Sequence, residues 1–157
     1  MAELSVGDIA PAFSLARGGT GTIDLAGLKG RIVVLYFYPK DDTPGCTAEA
    51  IDFSQLKTAF EAAGATVVGV SPDSPKRHAN FSAKHGIAID LASDETHDAL
   101  NAYGVWGEKS MYGKTFMGVE RSTFVIGPDG RIKRIWRKVK VPGHAAEVLE
   151  AVRGLVD

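Results

Sequence analysis

The feature that most constrains this chain is a strongly apolar segment that leads directly to its only cysteine. Residues 32–35, Ile-Val-Val-Leu, are the most continuously apolar part of the sequence, and we predict a buried strand over 31–38. Residues 48–57 then have the pattern of a helix. Cys46 therefore lies where a strand gives way to a helix, and the free N–H groups at a helix start favour the thiolate. The alternative is that a lone cysteine is simply a small buried hydrophobe.

Strands and helices alternate after this junction. The predicted helix has apolar residues at steps of three and four, which indicate a stripe facing the core: Phe53, Leu56, Phe60 and Ala63. The next expected elements are a strand over 66–70, a helix over 75–84 that Ser74 caps, a strand over 87–91, and a short helix that Asp94 caps and that runs to Tyr103. This order predicts an α/β fold in which helices flank a central mixed β-sheet.

A hairpin is expected before this alternation. Residues 12–15 and 22–25 flank Gly18-Gly19-Thr20-Gly21, which is typical of a turn. A phosphate-binding loop is the weaker interpretation of this glycine run, because no Lys-Ser/Thr follows it.

A second hairpin is expected near the end of the chain. Residues 122–126 and 131–136 flank Gly127-Pro128-Asp129-Gly130, where proline second and glycine fourth favour a turn. A long loop over 104–120 precedes this hairpin, and its length favours a functional role. A last helix is predicted after Gly143.

The composition predicts one domain, spanning residues 1–157. The net charge of −1 gives the chain no overall attraction for nucleic acid or an anionic membrane. A single cysteine cannot form an internal disulfide, which favours a reducing compartment. The N-terminus does not have the pattern of a secretory signal, and the longest apolar run, 32–38, is too short to span a membrane. We therefore expect a cytoplasmic protein.

The motif around the cysteine is specific. Pro39, Thr43 and Cys46 have the spacing P-x3-T-x2-C, and the run from 36 to 47 resembles the peroxiredoxins, in particular the bacterioferritin-comigratory-protein or peroxiredoxin Q subfamily. The similarity extends to three further segments, 7–15, 104–109 and 121–126. The resemblance implies a thioredoxin-like fold and a thiol-dependent peroxidase. Such an enzyme reduces hydrogen peroxide and organic hydroperoxides through a sulfenic acid, here at Cys46.

The resemblance also implies roles for the residues that match the family's motif. The Thr43 hydroxyl would hydrogen-bond the thiolate and the peroxide, and Pro39 would keep water from the sulfur. The fixed charge of Arg121 would stabilise the thiolate and the developing oxyanion. Taken singly, Thr43 could be a helix cap and Arg121 a surface charge on a strand. Their combination with Cys46 favours the catalytic interpretation.

The resemblance further implies that no bound cofactor is needed and that electrons come from an external thiol such as thioredoxin. Many members of the subfamily carry a second, resolving cysteine within a Phe-Cys-Ala-Lys pattern, and here that stretch is 81–84, Phe-Ser-Ala-Lys. Ser82 is thus a candidate for a vacated resolving position, whether natural or engineered. The alternative is an ordinary polar residue on a helix. We expect a monomer, with a weak dimer as the alternative.

Other functions fit the sequence less well. A thioredoxin-type disulfide reductase usually needs Cys-x-x-Cys, which residues 45–49 lack. A thioredoxin-fold binding or chaperone module with an inactive site is the non-enzymatic alternative. The basic run over 131–140 is interleaved with apolar residues, which favours a solvated hairpin edge over a surface for nucleic acid or an acidic reductase. The four histidines lack metal-ligand spacing, so we expect no metal.

Overall fold

A computed structural model describes residues 3–156 of the chain. The strands are β1 (Ser14–Arg17), β2 (Thr22–Asp24), β3 (Ile32–Phe37), β4 (Ala65–Ser71), β5 (Asp90–Ser93), β6 (Trp106–Met111), β7 (Lys114–Val119), β8 (Ser122–Ile126) and β9 (Ile132–Trp136). The helices are α1 (Pro44–Gln55), α2 (Lys57–Ala62), α3 (Pro75–His85), α4 (Asp98–Ala102) and α5 (His144–Val156). Strands and helices thus alternate through the middle of the chain, as the sequence predicts.

Seven strands form one mixed sheet in the order β2-β1-β5-β4-β3-β8-β9. β3, β4 and β5 are parallel, whereas β8 pairs antiparallel with β3 and β1 pairs antiparallel with β5. β6 and β7 form a separate two-stranded sheet. The predicted α/β fold with a central mixed sheet flanked by helices is confirmed.

β3 is buried along its whole length because both faces of the sheet are covered. On one face, a cluster that includes Tyr36 on β3, Phe53 on α1 and Val148 on α5 packs against the sheet. On the other face, Leu35 shares a cluster with Leu100 of α4. A strand that is covered on both faces has a continuous apolar sequence rather than an alternating one. This explains the uninterrupted apolar run that precedes the cysteine.

Aromatic packing holds α1 against the sheet. The Tyr36 ring stacks on the Phe53 ring with 4.7 Å between centroids. Gly69 of β4 makes room for this pair, because a Cβ atom there would lie 2.6 Å from the Tyr36 ring. This contact holds the second half of α1 against the sheet.

The single helix predicted after Cys46 is divided in two at Leu56. The Leu56 N–H bonds to the Phe53 carbonyl at 3.2 Å, a three-residue step that interrupts the α-helical pattern. Phe53 on α1 and Phe60 on α2 are both fully buried, with ring centroids 5.9 Å apart. Both rings thus enter the same core cluster, one from each side of the break.

The strand predicted over 87–91 begins later, at Asp90, where pairing with Val68 of β4 starts. Ile87 and Ile89 are buried, which explains the strand-like pattern, but the Ile87 N–H bonds back to the Ser82 carbonyl at the end of α3. The prediction that Asp94 caps the next helix was also wrong in position. α4 begins at Asp98, and the Asp94 carboxylate accepts the Leu100 N–H at 2.7 Å from outside the helix.

The long loop predicted over 104–120 is largely a β-hairpin. β6 and β7 pair from Trp106 and Val119 at one end to residues 111 and 114 at the other. Tyr112 and Gly113, with φ of 53° and 77°, form the tight turn between them. The sequence did not predict this hairpin, because the strands of the hairpin lack an apolar face. Tyr112, at the turn, is almost fully exposed.

The other local predictions are confirmed. Both predicted hairpins are present, although β1 begins two residues later than expected. The Ser74 hydroxyl accepts the Arg77 N–H at 3.2 Å and caps α3, and the last helix starts directly after Gly143. No helix within residues 3–156 is long and apolar enough to cross a membrane.

Candidate active site

Cys46 lies in the first turn of α1, where the sequence places it. Thr43 is the N-cap residue, and the first backbone bond of the helix runs from the Thr47 N–H to the Thr43 carbonyl at 2.8 Å. Residues 45 and 46 come before this first hydrogen-bonded residue, so their N–H groups lie in the part of the helix where N–H groups have no intrahelical partner. Cys46 is only 1% exposed. A charged side chain acts more strongly on a buried atom than on one in water, so the charged partner of this sulfur is the next feature of the site.

Arg121 is that partner. Arg121 directly precedes β8, whose first residue, Ser122, pairs with Phe37 at the end of β3. Arg121 therefore lies beside the end of β3, and the chain runs from there to Cys46. Its Nη2 donates to Cys46 Sγ at 3.3 Å, and its side chain is only 17% exposed. The alternative that Arg121 is a surface charge on a strand is therefore wrong. Two segments that are 75 residues apart in sequence meet at the sulfur.

Gly45 allows this approach. A Cβ atom at residue 45 would lie 3.3 Å from Arg121 Nη2, which is closer than most Cβ contacts. A larger residue before Cys46 would therefore push the guanidinium away from the sulfur.

Glu49 is a site residue that the sequence reasoning missed. Its Oε1 accepts a hydrogen bond from Arg121 Nη1 at 2.6 Å, and the residue is 1% exposed. Burial raises the pKa of Glu49 to about 7, although the Arg121 charge opposes this rise. For Arg121, burial has the opposite effect and acts to lower the pKa. The neighbouring Glu49 and Cys46 outweigh it and raise the pKa of Arg121 overall, so the guanidinium stays charged. Glu49 lies one helical turn from Cys46, and this i, i+3 spacing was the available signal.

The Thr43 hydroxyl is oriented by the backbone of the preceding loop. It donates to the Lys40 carbonyl at 2.9 Å. Thr43 occupies the N-cap position, but its side chain makes no capping bond. Within the described residues, the sulfur's hydrogen-bond donor is Arg121 rather than Thr43. Pro39 is half-buried and lies two residues after the end of β3.

A buried polar network lies behind this loop. Asp41 is hydrogen-bonded to Tyr38 Oη and to His78 Nδ1, at 2.5 and 2.6 Å respectively. His78 is fully buried, and its Nε2 bonds the Ala92 carbonyl at 3.0 Å. Asp41, Asp73 and His78 also place three metal-ligand atoms within 4.8 Å of one another. Those atoms are engaged in hydrogen bonds to protein groups, so the cluster acts as a structural support.

Ser82 lies on α3, which packs on the same face of the sheet as α1. Its neighbour Phe81 belongs to the same buried cluster as Cys46, whereas Ser82 is half-buried. Asp42, in the loop before Cys46, contacts the end of the same helix through Lys84 Nζ at 2.7 Å and His85 Nε2 at 2.8 Å. α3 is therefore bound directly to the loop that carries the motif.

A cysteine with a permanent cation beside it and no second cysteine in the chain suits peroxide reduction better than disulfide exchange. Comparison with known proteins leads to the same class. Residues 6–135 match the AhpC/TSA family, and the chain belongs to this family of thiol peroxidases.

Within the family, the relatives are peroxiredoxins of the Bcp, or peroxiredoxin Q, type. The chain is 43% identical to peroxiredoxin Bcp of Bacillus subtilis over 97% of both chains. It is 52% identical to peroxiredoxin Bcp of Xanthomonas campestris over 87% of this chain and 84% of the relative. A cysteine-to-serine mutant of PrxQ from Xylella fastidiosa superposes with a TM-score of 0.93 at 41% identity, and 100% of each chain is covered. The predicted thioredoxin-like fold and the resemblance to the subfamily are confirmed.

Proposed function

We propose that Cys46 is the nucleophile of this thiol peroxidase and that Arg121 is the group that activates it. The observation that carries the proposal is the 3.3 Å contact between Arg121 Nη2 and a sulfur that is 1% exposed. In such a site, a fixed positive charge interacts with the thiolate more strongly than it would in water.

The reaction transfers one oxygen. The thiolate attacks the hydroxyl oxygen of the peroxide, the S–O bond forms as the O–O bond breaks, and Cys46 becomes a sulfenic acid. The electron pair of the O–O bond leaves on the other oxygen, which takes up a proton as water or an alcohol. Arg121 can stabilise charge on the sulfur before the transition state and on the leaving oxygen within it, without giving up a proton.

Thr43 and Pro39 shape the place where the peroxide binds. The Thr43 proton is donated to the Lys40 carbonyl, so the lone pairs of its oxygen are available to accept the peroxide O–H. Pro39 has no N–H and presents an apolar ring next to the motif loop, which helps to keep water from the sulfenic acid.

Glu49 acts as a positioning residue through Arg121. The guanidinium uses Nη1 for Glu49 and Nη2 for the sulfur, so the carboxylate fixes the plane in which Nη2 faces Cys46. A carboxyl group whose pKa is about 7 is divided between its neutral and ionised forms near neutral pH, so it cancels only part of the Arg121 charge.

The sulfenic acid is reduced by an external thiol, and thioredoxin is the reductant that we propose. The sequence has one cysteine, so it cannot form an internal disulfide. Two structures of peroxiredoxin Q from Xanthomonas campestris carry cysteine-to-serine changes at positions 36 residues apart, the same separation as Cys46 and Ser82. This supports Ser82 as a vacated resolving position. We further propose one domain over residues 1–157, a monomer, and a reducing, cytoplasmic setting.

Kinetics with different peroxides test the proposal. A solved relative from Xanthomonas campestris was studied for alkyl peroxide reduction. We therefore expect cumene hydroperoxide and t-butyl hydroperoxide, as well as hydrogen peroxide, to oxidise the reduced protein in stopped-flow experiments. Thioredoxin should restore the reduced form through repeated cycles. If none of the three peroxides oxidises Cys46 faster than it oxidises a free thiol, the proposal is wrong.

A further inference from the structure

The peptide group between Lys40 and Asp41 is held at both ends. Its N–H donates to Asp73 Oδ2 at 2.7 Å, and its carbonyl accepts the Thr43 hydroxyl at 2.9 Å. In a trans peptide the N–H and C=O groups point in opposite directions within one plane. The carboxylate that fixes the N–H therefore also fixes the direction of the carbonyl, and with it the direction of the Thr43 O–H bond.

Asp73 is itself firmly placed. Its side chain is 8% exposed, and its Oδ2 also accepts the Ser71 hydroxyl at 2.7 Å. Its Oδ1 accepts Arg77 Nε at 3.0 Å. Hydrogen bonds to an ionised carboxylate are stronger than those between neutral groups. Asp73 can thus impose an orientation on a loop that would otherwise rotate.

The side chain of Asp41 provides a separate anchor for the same loop. It is held by Tyr38 Oη and by His78 Nδ1, and neither bond involves Asp73. Loss of Asp73 should therefore release the rotation of the Lys40–Asp41 peptide while the loop stays attached to the core.

We propose that Asp73 is a positioning residue for peroxide binding, and that it acts through the Lys40–Asp41 peptide to aim the Thr43 lone pairs at the peroxide O–H. The proposal rests on the function proposed above and deepens it. With Asp73 in place, the Thr43 proton is committed to the Lys40 carbonyl, and the hydroxyl accepts from the substrate. Without Asp73, the peptide can rotate and the hydroxyl proton can turn toward the substrate.

The test is a double-mutant cycle that joins Asp73→Ala with Thr43→Val, measured as the rate constant for oxidation by hydrogen peroxide. We expect Asp73→Ala to lower this rate about tenfold, the effect of one lost hydrogen bond. In the Thr43→Val background, the same change should have no further effect, because the group that it orients is gone. Asp73→Asn should recover most of the rate, since its amide oxygen can still accept the Asp41 N–H.

Two measurements separate this role from a general structural one. The rate of Cys46 alkylation by iodoacetamide should be the same in Asp73→Ala and the unmodified protein, because the contact between Cys46 and Arg121 is untouched. Asp129→Ala removes a carboxylate from the β8–β9 turn, at the opposite end of β3, and should leave the oxidation rate unchanged. If Asp73→Ala does not fold, Asp73→Ser, which is too short to reach the Asp41 N–H, takes its place in the cycle.

The proposal is overturned if the effects of Asp73→Ala and Thr43→Val simply add, if Asp73→Asn is as slow as Asp73→Ala, or if alkylation slows in parallel with peroxide oxidation. These outcomes leave the proposed function intact, because the unmodified protein would still reduce peroxide through Cys46. Failure of the proposed function itself would appear as peroxide consumption that does not depend on Cys46.

Discussion

Replacement of Glu49 by Gln tests the electrostatics of the site through stability. Burial raises the pKa of Glu49 from 4.5 to about 7, so the folded protein holds this proton more tightly than the unfolded chain does. The stabilising contribution of Glu49 is therefore complete below a pH of 4.5 and is lost as the pH rises through about 7. The difference between the two pKa values corresponds to about 3 kcal/mol of unfolding free energy.

The assay is urea unfolding, followed by tryptophan fluorescence, for both proteins at several pH values. Between about pH 5 and about pH 8, the unfolding free energy of the unmodified protein should fall by about 2 to 3 kcal/mol relative to Glu49→Gln. The Gln side chain can present its oxygen to Arg121 Nη1 but cannot ionise. Burial lowers the pKa of His144, which changes stability in the opposite direction with pH, but this residue is common to both proteins and cancels in the difference.

Glu150→Gln is the matched control. Glu150 is an exposed carboxylate that contacts Arg153 on the same helix, so its replacement should leave the pH dependence parallel to that of the unmodified protein. If Glu49→Gln is also parallel to the unmodified protein over this range, then Glu49 ionises in the fold as it does in water, and the account of the buried pair fails.

Substitutions at two further positions test the roles of Arg121 and Ser82. Arg121→Gln should slow oxidation by peroxide about 100-fold or more, since it removes the donor that stabilises both the thiolate and the leaving oxygen. The rate of Arg121→Lys should be intermediate, because lysine keeps the charge but cannot contact Glu49 and Cys46 together. Equal stopped-flow rates for the unmodified protein and both variants would remove Arg121 from the mechanism. Ser82→Cys should form a disulfide with Cys46 after one equivalent of peroxide, after local unwinding of α1 or α3, because Cys46 is buried. Mass spectrometry detects the joined peptide, and a yield of only sulfinic or sulfonic Cys46 would mean that residue 82 is not a resolving position.

The local parts of the site could be predicted from the sequence because their signals are local. The P-x3-T-x2-C spacing, the apolar run before it and the helix after it identify Cys46 and its place in the first turn of α1. Arg121 was found by resemblance to the family rather than by pattern. Its approach to the sulfur depends on the pairing of β8 with β3, which no local signal specifies.

The supporting groups could not be predicted, because charge alone does not show burial. Glu49 looks like an ordinary acid on an exposed helix until Arg121 is brought to it from a distant segment. Asp73 looks like a turn residue before the Ser74 cap, yet its carboxylate reaches a backbone N–H 32 residues earlier in the chain. The β6–β7 hairpin was missed for a related reason, because β7 is mostly exposed and carries no alternation of apolar and polar residues.

Trapping of the sulfenic acid tests the central claim most directly. The reduced protein is mixed with one equivalent of hydrogen peroxide in the presence of dimedone, and its peptides are analysed by mass spectrometry. The account predicts one dimedone adduct on the peptide that contains Cys46, loss of that adduct when thioredoxin is added before dimedone, and no peroxide consumption by Cys46→Ser. Peroxide consumption by Cys46→Ser at the rate of the unmodified protein, or consumption that leaves Cys46 unmodified, would contradict it.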